Sequence, residues 1–395
     1  MRRDDAQEGD GIVSRTPTKI GIIGCGVISG IYIENARRLA AIECVAVADV
    51  NPAAAEYRAR QYDIPTACSP EELLADPAIA IVVNLTPHRL HRQVGLQIIA
   101  AGKHLYSEKP LAVYREESQD LLAAAAKAGV RVGSAPDTFF GGAWQTARRA
   151  IDDGLIGVPF AATATLQGRR APTAEQGPRA TSSPTRATVA GAISRTQLEG
   201  LKYGAGVAFD MGPYYLQALL ALLGPARHVA GATRTVFAEK TQFGNTLKVE
   251  SPTHVTGLIE FSGGVVCQFL TSSDVYGTGL PYIEIYGTEG SLRCPDPNYF
   301  PGPVSLRKPD SKELIALENK HGYNQDSRGV GVADLAVAIR HGRSHRASGE
   351  MGAHVVDILN AIHESADEGR RIELRTTCAR PEALPPDLPD WTIDD

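Results

Sequence analysis

Three short stretches of this 395-residue chain carry residue types at spacings that suit chemistry. The first, KIGIIGCGVISG, places Gly24, Gly26 and Gly30 where an apolar run gives way to a helical stretch, with Ser29 at the position where a third glycine or alanine commonly falls. Gly24 permits a tight turn, and Gly26 leaves the backbone bare for the close approach of a pyrophosphate. Val27 and Ile28 continue the turn, and the N–H groups of the following helix would hold the anion. A GxG turn alone is weak evidence, because turns collect glycines for many reasons. Here an acid follows it: Asp49 closes the apolar run CVAVAD, 23 residues after Gly26. A carboxylate at that point can accept both hydrogen bonds from an adenosine ribose and would repel a 2′-phosphate. The pattern therefore predicts NAD in preference to NADP. The competing reading makes Asp49 a cap for the helix after Asn51-Pro52.

The second stretch, NLTPHRLH, brings Thr86, Pro87, His88 and His91 directly after the run AIVV. The i, i+3 histidine pair could suit a metal, but no third ligand accompanies it. Pro87 marks a loop entering a helix, so these residues are expected to line the cofactor pocket or start a helix, and no metal site is predicted. The third is Glu108-Lys109-Pro110, after HLYS. It falls at the carboxyl end of a predicted parallel strand, where open α/β sheets bind ligands, so Glu108 and Lys109 are also expected to line the cofactor pocket. A lysine there could hydrogen-bond a substrate hydroxyl and lower its pKa as a hydride leaves. An exposed surface turn could carry the same tripeptide.

The elements that must position these residues follow from hydrophobic rhythm. Apolar runs at 20–24, 44–49, 80–86, 104–108 and 130–135 alternate with helical segments at 30–39, 52–61, 91–101 and 116–128. Continuous apolar strands separated by helices predict a parallel sheet covered on both faces. After residue 140 the rhythm changes. A helix at 145–153 leads into strand-like segments at 160–168, 228–237, 253–272, 282–294 and 304–308, with turn signals in FSGGVV and GTEGS. Strands without intervening helices predict a largely antiparallel sheet, closed by helices at 331–340 and 352–366. The expected organisation is a disordered tail (1–18), an α/β Rossmann domain (19–140), an α+β substrate domain (141–374) and a loose, Pro- and Asp-rich tail (375–395). Residues 169–201 stand apart: they carry five arginines among many small polar residues, with no aromatic residue, Asp or His, and are predicted to be a disordered insertion.

Bulk properties narrow the class. A chain of 395 residues exceeds one compact core. The net charge of −5 without a basic stripe argues against nucleic acid as a partner. No apolar run is long enough to span a bilayer, and the arginines at the start precede no apolar signal segment. The six cysteines are scattered, as expected of small buried hydrophobes in a reducing, cytoplasmic setting.

In their order and spacing, GCGVISG, ADVNP, NLTPHRLH, GKHLYSEKPL, SAPDTFFGGAWQTARRAIDDGLIG, GAGVAFDMGPYYLQALLALLG, PYIEIYGTEGSLRCPDP and HGYNQDSRGVGVADLA resemble the glucose-fructose oxidoreductase / inositol dehydrogenase / MocA family. The likeness covers roughly residues 19–374, apart from 169–201. It implies a Rossmann domain joined to an open-faced sheet domain, and hydride transfer between NAD and a sugar, polyol or related hydroxy compound. It also implies a homo-oligomer paired through the open sheet. Lys109 would be the lysine of the family's Glu-Lys-Pro motif. Asp210 and Tyr214 would head and close its Asp-x-Gly-x-His/Tyr motif, here DMGPY. For Tyr214 to relay a proton its high pKa must be depressed, and Lys109 is the expected agent. The competing reading makes Asp210 an N-cap and Tyr214 a core aromatic of a helix at 214–223. His321, in the polar loop HGYNQDSRG, could also reach a substrate. The segment 169–201 lacks the histidines and aromatics that shape the pocket in the subgroup most resembled. It reads as a mobile lid or as the product of compensated frameshifts. Two other functions therefore stand beside the dehydrogenase: a sugar hydrolase or eliminase using transient oxidation, and an NAD-binding sensor with impaired turnover.

Overall fold

The computed structural model describes residues 16–168, 206–242 and 245–394, and the insertion anticipated at 169–201 lies outside them. The first half alternates strand and helix: β1 (Thr18–Ile23), α1 (Ser29–Ala36), β2 (Ile42–Ala48), α2 (Pro52–Tyr62), β3 (Thr66–Cys68), α3 (Pro70–Ala75), β4 (Ile81–Asn84), α4 (His91–Ala100), β5 (His104–Ser107), α5 (Arg115–Ala128) and β6 (Val132–Ser134). All six strands pair in parallel, in the order β3-β2-β1-β4-β5-β6. Side chains alternate between faces, so Ile20, Ile22, Ile81 and Val83 enter one core while Ile23, Val82 and Leu105 enter another. That two-sided burial is why these strands read as unbroken apolar runs.

The second half begins with α6 (Gly142–Asp152) and the long strand β7 (Pro159–Gln167). Helix α7 (Val207–Leu223) follows, then β8 (Ala226–Arg234) and a small separate hairpin of β9 (Glu239–Gln242) and β10 (Asn245–Lys248). The rest comprises β11 (His254–Phe261), β12 (Val266–Ser272), β13 (Ile283–Gly287), β14 (Gly290–Cys294), β15 (Ser305–Arg307), β16 (Ile315–Ala316), α8 (Val330–His341), α9 (Gly349–Glu368) and β17 (Ile372–Glu373). Nine strands form one sheet in the order β16-β15-β14-β13-β7-β12-β11-β8-β17. Its pairings are antiparallel except β7 with β12. Helices α7 and α9 pack on one face. On the other, Leu258 and Val266 remain exposed.

The halves are tied through α5 and α9. Arg115 is buried, and its guanidinium meets Asp357 and, at 3.0 Å, Glu364. The tail beyond residue 374 corrects the expectation of looseness. Leu384 and Ile393 are buried, the Leu384 N–H donates to Gln145 Oε1 (2.8 Å), and Asp394 Oδ2 accepts from Arg346 Nη2 (2.6 Å). Trp391 lies under the Arg38 guanidinium, 3.7 Å from the ring centroid. Buried arginines and a buried glutamine need partners, and the polar tail supplies them.

Candidate active site

The glycine turn is built by close contacts on one side and open space on the other. Gly24 adopts φ +105°, and a Cβ there would lie 2.6–2.9 Å from the backbone of Leu85 and Thr86. The turn leaving β1 therefore rests directly on the loop leaving β4. At Gly26 a Cβ would meet nothing within 4 Å. That bare backbone, at the start of α1, is the opening a dinucleotide pyrophosphate requires. Val27 is exposed and Ile28 half-buried beside it.

Two side chains clamp the turn from behind: Ser29 Oγ donates to the Gly26 carbonyl (2.6 Å), and so does Arg58 Nη2 (2.8 Å). Asp49 reaches the same turn. Its Oδ2 accepts from the Cys25 N–H (2.8 Å) and its Oδ1 from the Asn51 N–H (2.9 Å), and it remains partly exposed. The cap of α2 is Asn51, which accepts from the Ala53 N–H at 3.2 Å. Asp49 is thus fixed at the turn by one hydrogen bond on each oxygen and still partly open to solvent, as a ribose-binding carboxylate needs. Burial pushes the Cys25 thiol up to about 12, so it adds no negative charge beside the phosphate opening. Arg58 was missed in the sequence, where it is one more polar residue on the helix PAAAEYRARQY.

The histidines divide. His91 is 1% exposed, with Nδ1 2.7 Å from the Pro110 carbonyl and Nε2 2.9 Å from that of Thr86. It is a strut joining the loop after β4 to the loop after β5, and lies beneath the pocket rather than lining it. Burial holds its pKa down although both carbonyls favour the charged form. Asn84 completes the strut, accepting from Thr86 Oγ1 (2.7 Å) and donating to the His91 carbonyl (3.2 Å). Pro87 is exposed and Thr86 half-buried. His88 sits near Lys109 and Asp210; burial, with His91 and Lys109, pushes it down to about 4, so it is neutral at physiological pH. Its Nε2 is buried without a hydrogen-bond partner among the described residues. Among those residues no three His, Cys, Asp or Glu side chains gather as a metal site would require.

Three chain segments then converge. Glu108 is held from behind, accepting from Tyr32 Oη (3.0 Å) and from the Lys109 N–H (2.8 Å). That leaves the Lys109 side chain to cross the cleft, where Nζ donates to both the carbonyl (2.6 Å) and Oδ1 (2.8 Å) of Asp210. Burial opposes the lysine's charge, but Asp210, Tyr214 and Glu108 outweigh it and hold its pKa above the ordinary value. Asp210 lies in the first turn of α7, and Tyr214 one turn further on. The helix starts at Val207, seven residues before the expected 214, so Asp210 is not its N-cap. Tyr214 is 6% exposed, with its ring centroid 5.2 Å from Lys109 Nζ. The expected depression of its pKa is not what the site produces: burial raises it, and Lys109 and Arg328 offset only part of that rise.

Arg328 and Asp137 were not anticipated. Arg328 stands in the very loop singled out for His321, but it is the arginine that reaches the site, its Cζ 5.9 Å from the Tyr214 ring centroid. His321 is 8% exposed and neighbours Arg149 and the C-terminal tail. Asp137, fully buried, accepts from the N–H groups of Gly329 (2.8 Å) and Gly331 (3.0 Å), holding the start of α8 and with it the Arg328 loop. Burial pushes its carboxyl up to about 6.

Comparison with known proteins agrees with this architecture. The oxidoreductase family with an NAD-binding Rossmann fold, Gfo/Idh/MocA, matches residues 18–135, and the family's C-terminal domain matches 144–293. A 1,5-anhydro-D-fructose reductase of Ensifer adhaerens is 28% identical over 90% of this chain and 98% of its own. An NAD-binding oxidoreductase of Klebsiella pneumoniae superposes with a TM-score of 0.73 at 24% identity, covering 91% of this chain and 99% of that one. A levoglucosan dehydrogenase in complex with NADH and L-sorbose gives 0.75 at 21% identity, covering 91% and 100%. No helix among the described residues is long and apolar enough to cross a membrane. With both of the family's domains matched in order and the glycine turn built to admit a dinucleotide, the chain belongs to the Gfo/Idh/MocA oxidoreductases and carries their NAD-binding Rossmann domain.

Proposed function

We propose that the protein transfers hydride between NAD(H) and a CH–OH carbon of a sugar, polyol or related hydroxy compound, with Lys109, Asp210 and Tyr214 handling the hydroxyl proton. The observation that carries this is the convergence of Lys109, from the end of a Rossmann strand, on Asp210 and Tyr214, from the first turns of a helix in the other domain. NAD(H), when bound, supplies the two-electron acceptor or donor. The protein's part is to place the substrate oxygen and move one proton.

The protonation of these residues favours one direction. Lys109 is held charged and the Tyr214 phenol neutral, so both are proton donors at neutral pH. In carbonyl reduction the carbonyl carbon gains hydride, its oxygen gains the Tyr214 proton, and Lys109 stabilises the oxygen's charge as it develops. Tyr214 then recovers a proton from solvent along the Lys109 side. In the oxidising direction the same groups must first lose protons, so that rate rises with pH. Asp49 makes NAD the preferred dinucleotide over NADP. The test is a panel of keto sugars with NADH and of sugars and polyols with NAD, followed by nicotinamide absorbance over a pH series. Reduction that holds level through neutral pH while oxidation climbs is expected. Absence of turnover on every member, with NAD bound normally, would defeat the reading and favour a sensor.

The chain also pairs with a second copy through the open face of the nine-stranded sheet. Leu258, at 49% exposed, and Val266, at 42%, lie on that face of β11 and β12, where a monomer leaves apolar surface wet. Light scattering that stays at one chain's mass, 42.1 kDa, over a broad concentration range would sink this.

A further inference from the structure

Tyr214 has a second cation. The Arg328 side chain is 12% exposed and fixed on three oxygens: the Asn298 carbonyl (3.1 Å), Asn298 Oδ1 (2.8 Å) and Asp326 Oδ1 (2.7 Å). A guanidinium has five N–H donors in a planar fork, so these contacts set its orientation without exhausting it. The guanidinium also faces Tyr214, with Cζ 5.9 Å from the ring centroid, while Lys109 Nζ stands 5.2 Å from the same centroid. The charged groups facing the phenol are therefore Lys109 and Glu108 from the end of β5 and Arg328 from the loop before α8. Asp210, on the tyrosine's own helix, is bound to Lys109, and Asp326 to Arg328.

We propose that Arg328 is a positioning residue for Tyr214, holding the buried phenol in place and stabilising the phenolate left when its proton passes to the substrate oxygen. One lysine is a poor sole counter-charge here. Lys109 already spends its ammonium on two Asp210 oxygens, and Glu108 stands on the same side. A phenolate in a buried setting needs further positive charge, and the anchored guanidinium provides it at fixed geometry. The inference rests on the hydride-transfer reading for its use, and so do its rate measurements, but the Tyr214 titration that tests it does not.

Fluorotyrosine is incorporated throughout the full chain, and the fluorine NMR resonance missing from Tyr214→Phe identifies Tyr214. Its titration midpoint is then followed in the protein without dinucleotide or substrate. Arg328→Gln is expected to raise that midpoint by about one pH unit or more, the scale for losing an opposite charge within a few ångströms. Arg328→Lys, which keeps the charge without the fork, should recover at least half of the shift while slowing carbonyl reduction by roughly tenfold through kcat rather than KM. A Tyr214 midpoint unmoved in a folded Arg328→Gln overturns the proposal. If that variant loses its fold, Arg328→Lys decides alone: an unaltered reduction rate overturns the positioning role, and a slowed kcat with unchanged KM supports it. A shifted midpoint in a protein that turns over nothing would instead count against the hydride-transfer reading.

Discussion

The two sides of the cleft are assembled in opposite ways. The glycine turn is held by its own neighbourhood: Ser29, Asp49 and Arg58 all lie within 32 residues of the backbone groups they bind. The acid–base side joins partners far apart in the chain. Lys109 meets Asp210 across 101 residues, and Asp137 holds Gly329 across 192. The glycine turn is thus built within the Rossmann half, whereas the proposed proton handling depends on how two domains pack. Substitutions on one side should leave the other side's measurement untouched.

Lys109→Met is the strongest way to sharpen that contrast. It should cut turnover by roughly a hundredfold or more, the scale for losing a positioned acid–base group, with NAD affinity nearly unchanged by calorimetry. A large loss of NAD affinity would show that the two sides are not separable. Asp49→Ser tests the reverse. NAD binding should weaken by roughly tenfold, the worth of a charge-assisted hydrogen bond, and the preference over NADP should relax. Tighter binding of NADP than NAD by the unaltered protein would remove Asp49 from its assigned role.

The remaining effect concerns stability. Asp137 has its folded pKa raised to about 6 from an ordinary carboxylate value, so its protonated form is favoured in the fold. Its contribution is full below the unfolded pKa and lost as pH rises toward 6. Above that, the buried charge should cost roughly 1–3 kcal/mol. Asp137→Asn keeps an acceptor for Gly329 and Gly331 and should flatten that part of the thermal-unfolding profile. A profile that falls as steeply in the variant would place the titration elsewhere.

The same local-versus-distant division explains what could be read in the sequence. The parallel strands, the glycine turn, Asp49 and the Glu-Lys-Pro tripeptide were legible because each is set by neighbours within one strand–turn–helix unit. The strand β3 and helix α3 were not read. Three residues show no periodicity, although Ser69 and Glu72 form a capping box that marks the helix start. Asp137 and Arg328 were invisible because their partners come from loops that nothing local brings together. Tyr214 was located, but its acidity was misjudged, since the count of nearby cations says nothing about burial. The tail failed for a related reason. Its Pro and Asp content looks loose until Arg346, Tyr323 and Gln145, from distant elements, are seen to hydrogen-bond with it.

The Arg115–Asp357 tie has a consequence for the order in which a nascent chain can settle. These residues stand 242 positions apart, so a ribosome needs on the order of ten to fifty seconds to deliver the carboxylate after the guanidinium. Until Asp357 and Glu364 arrive Arg115 stays in water, since a lone cation is not taken into an apolar interior. The half that comes first in synthesis therefore cannot complete its packing until α9 arrives to cover α5 and β6. Until then its uncovered flank is the surface a chaperone would have to shield.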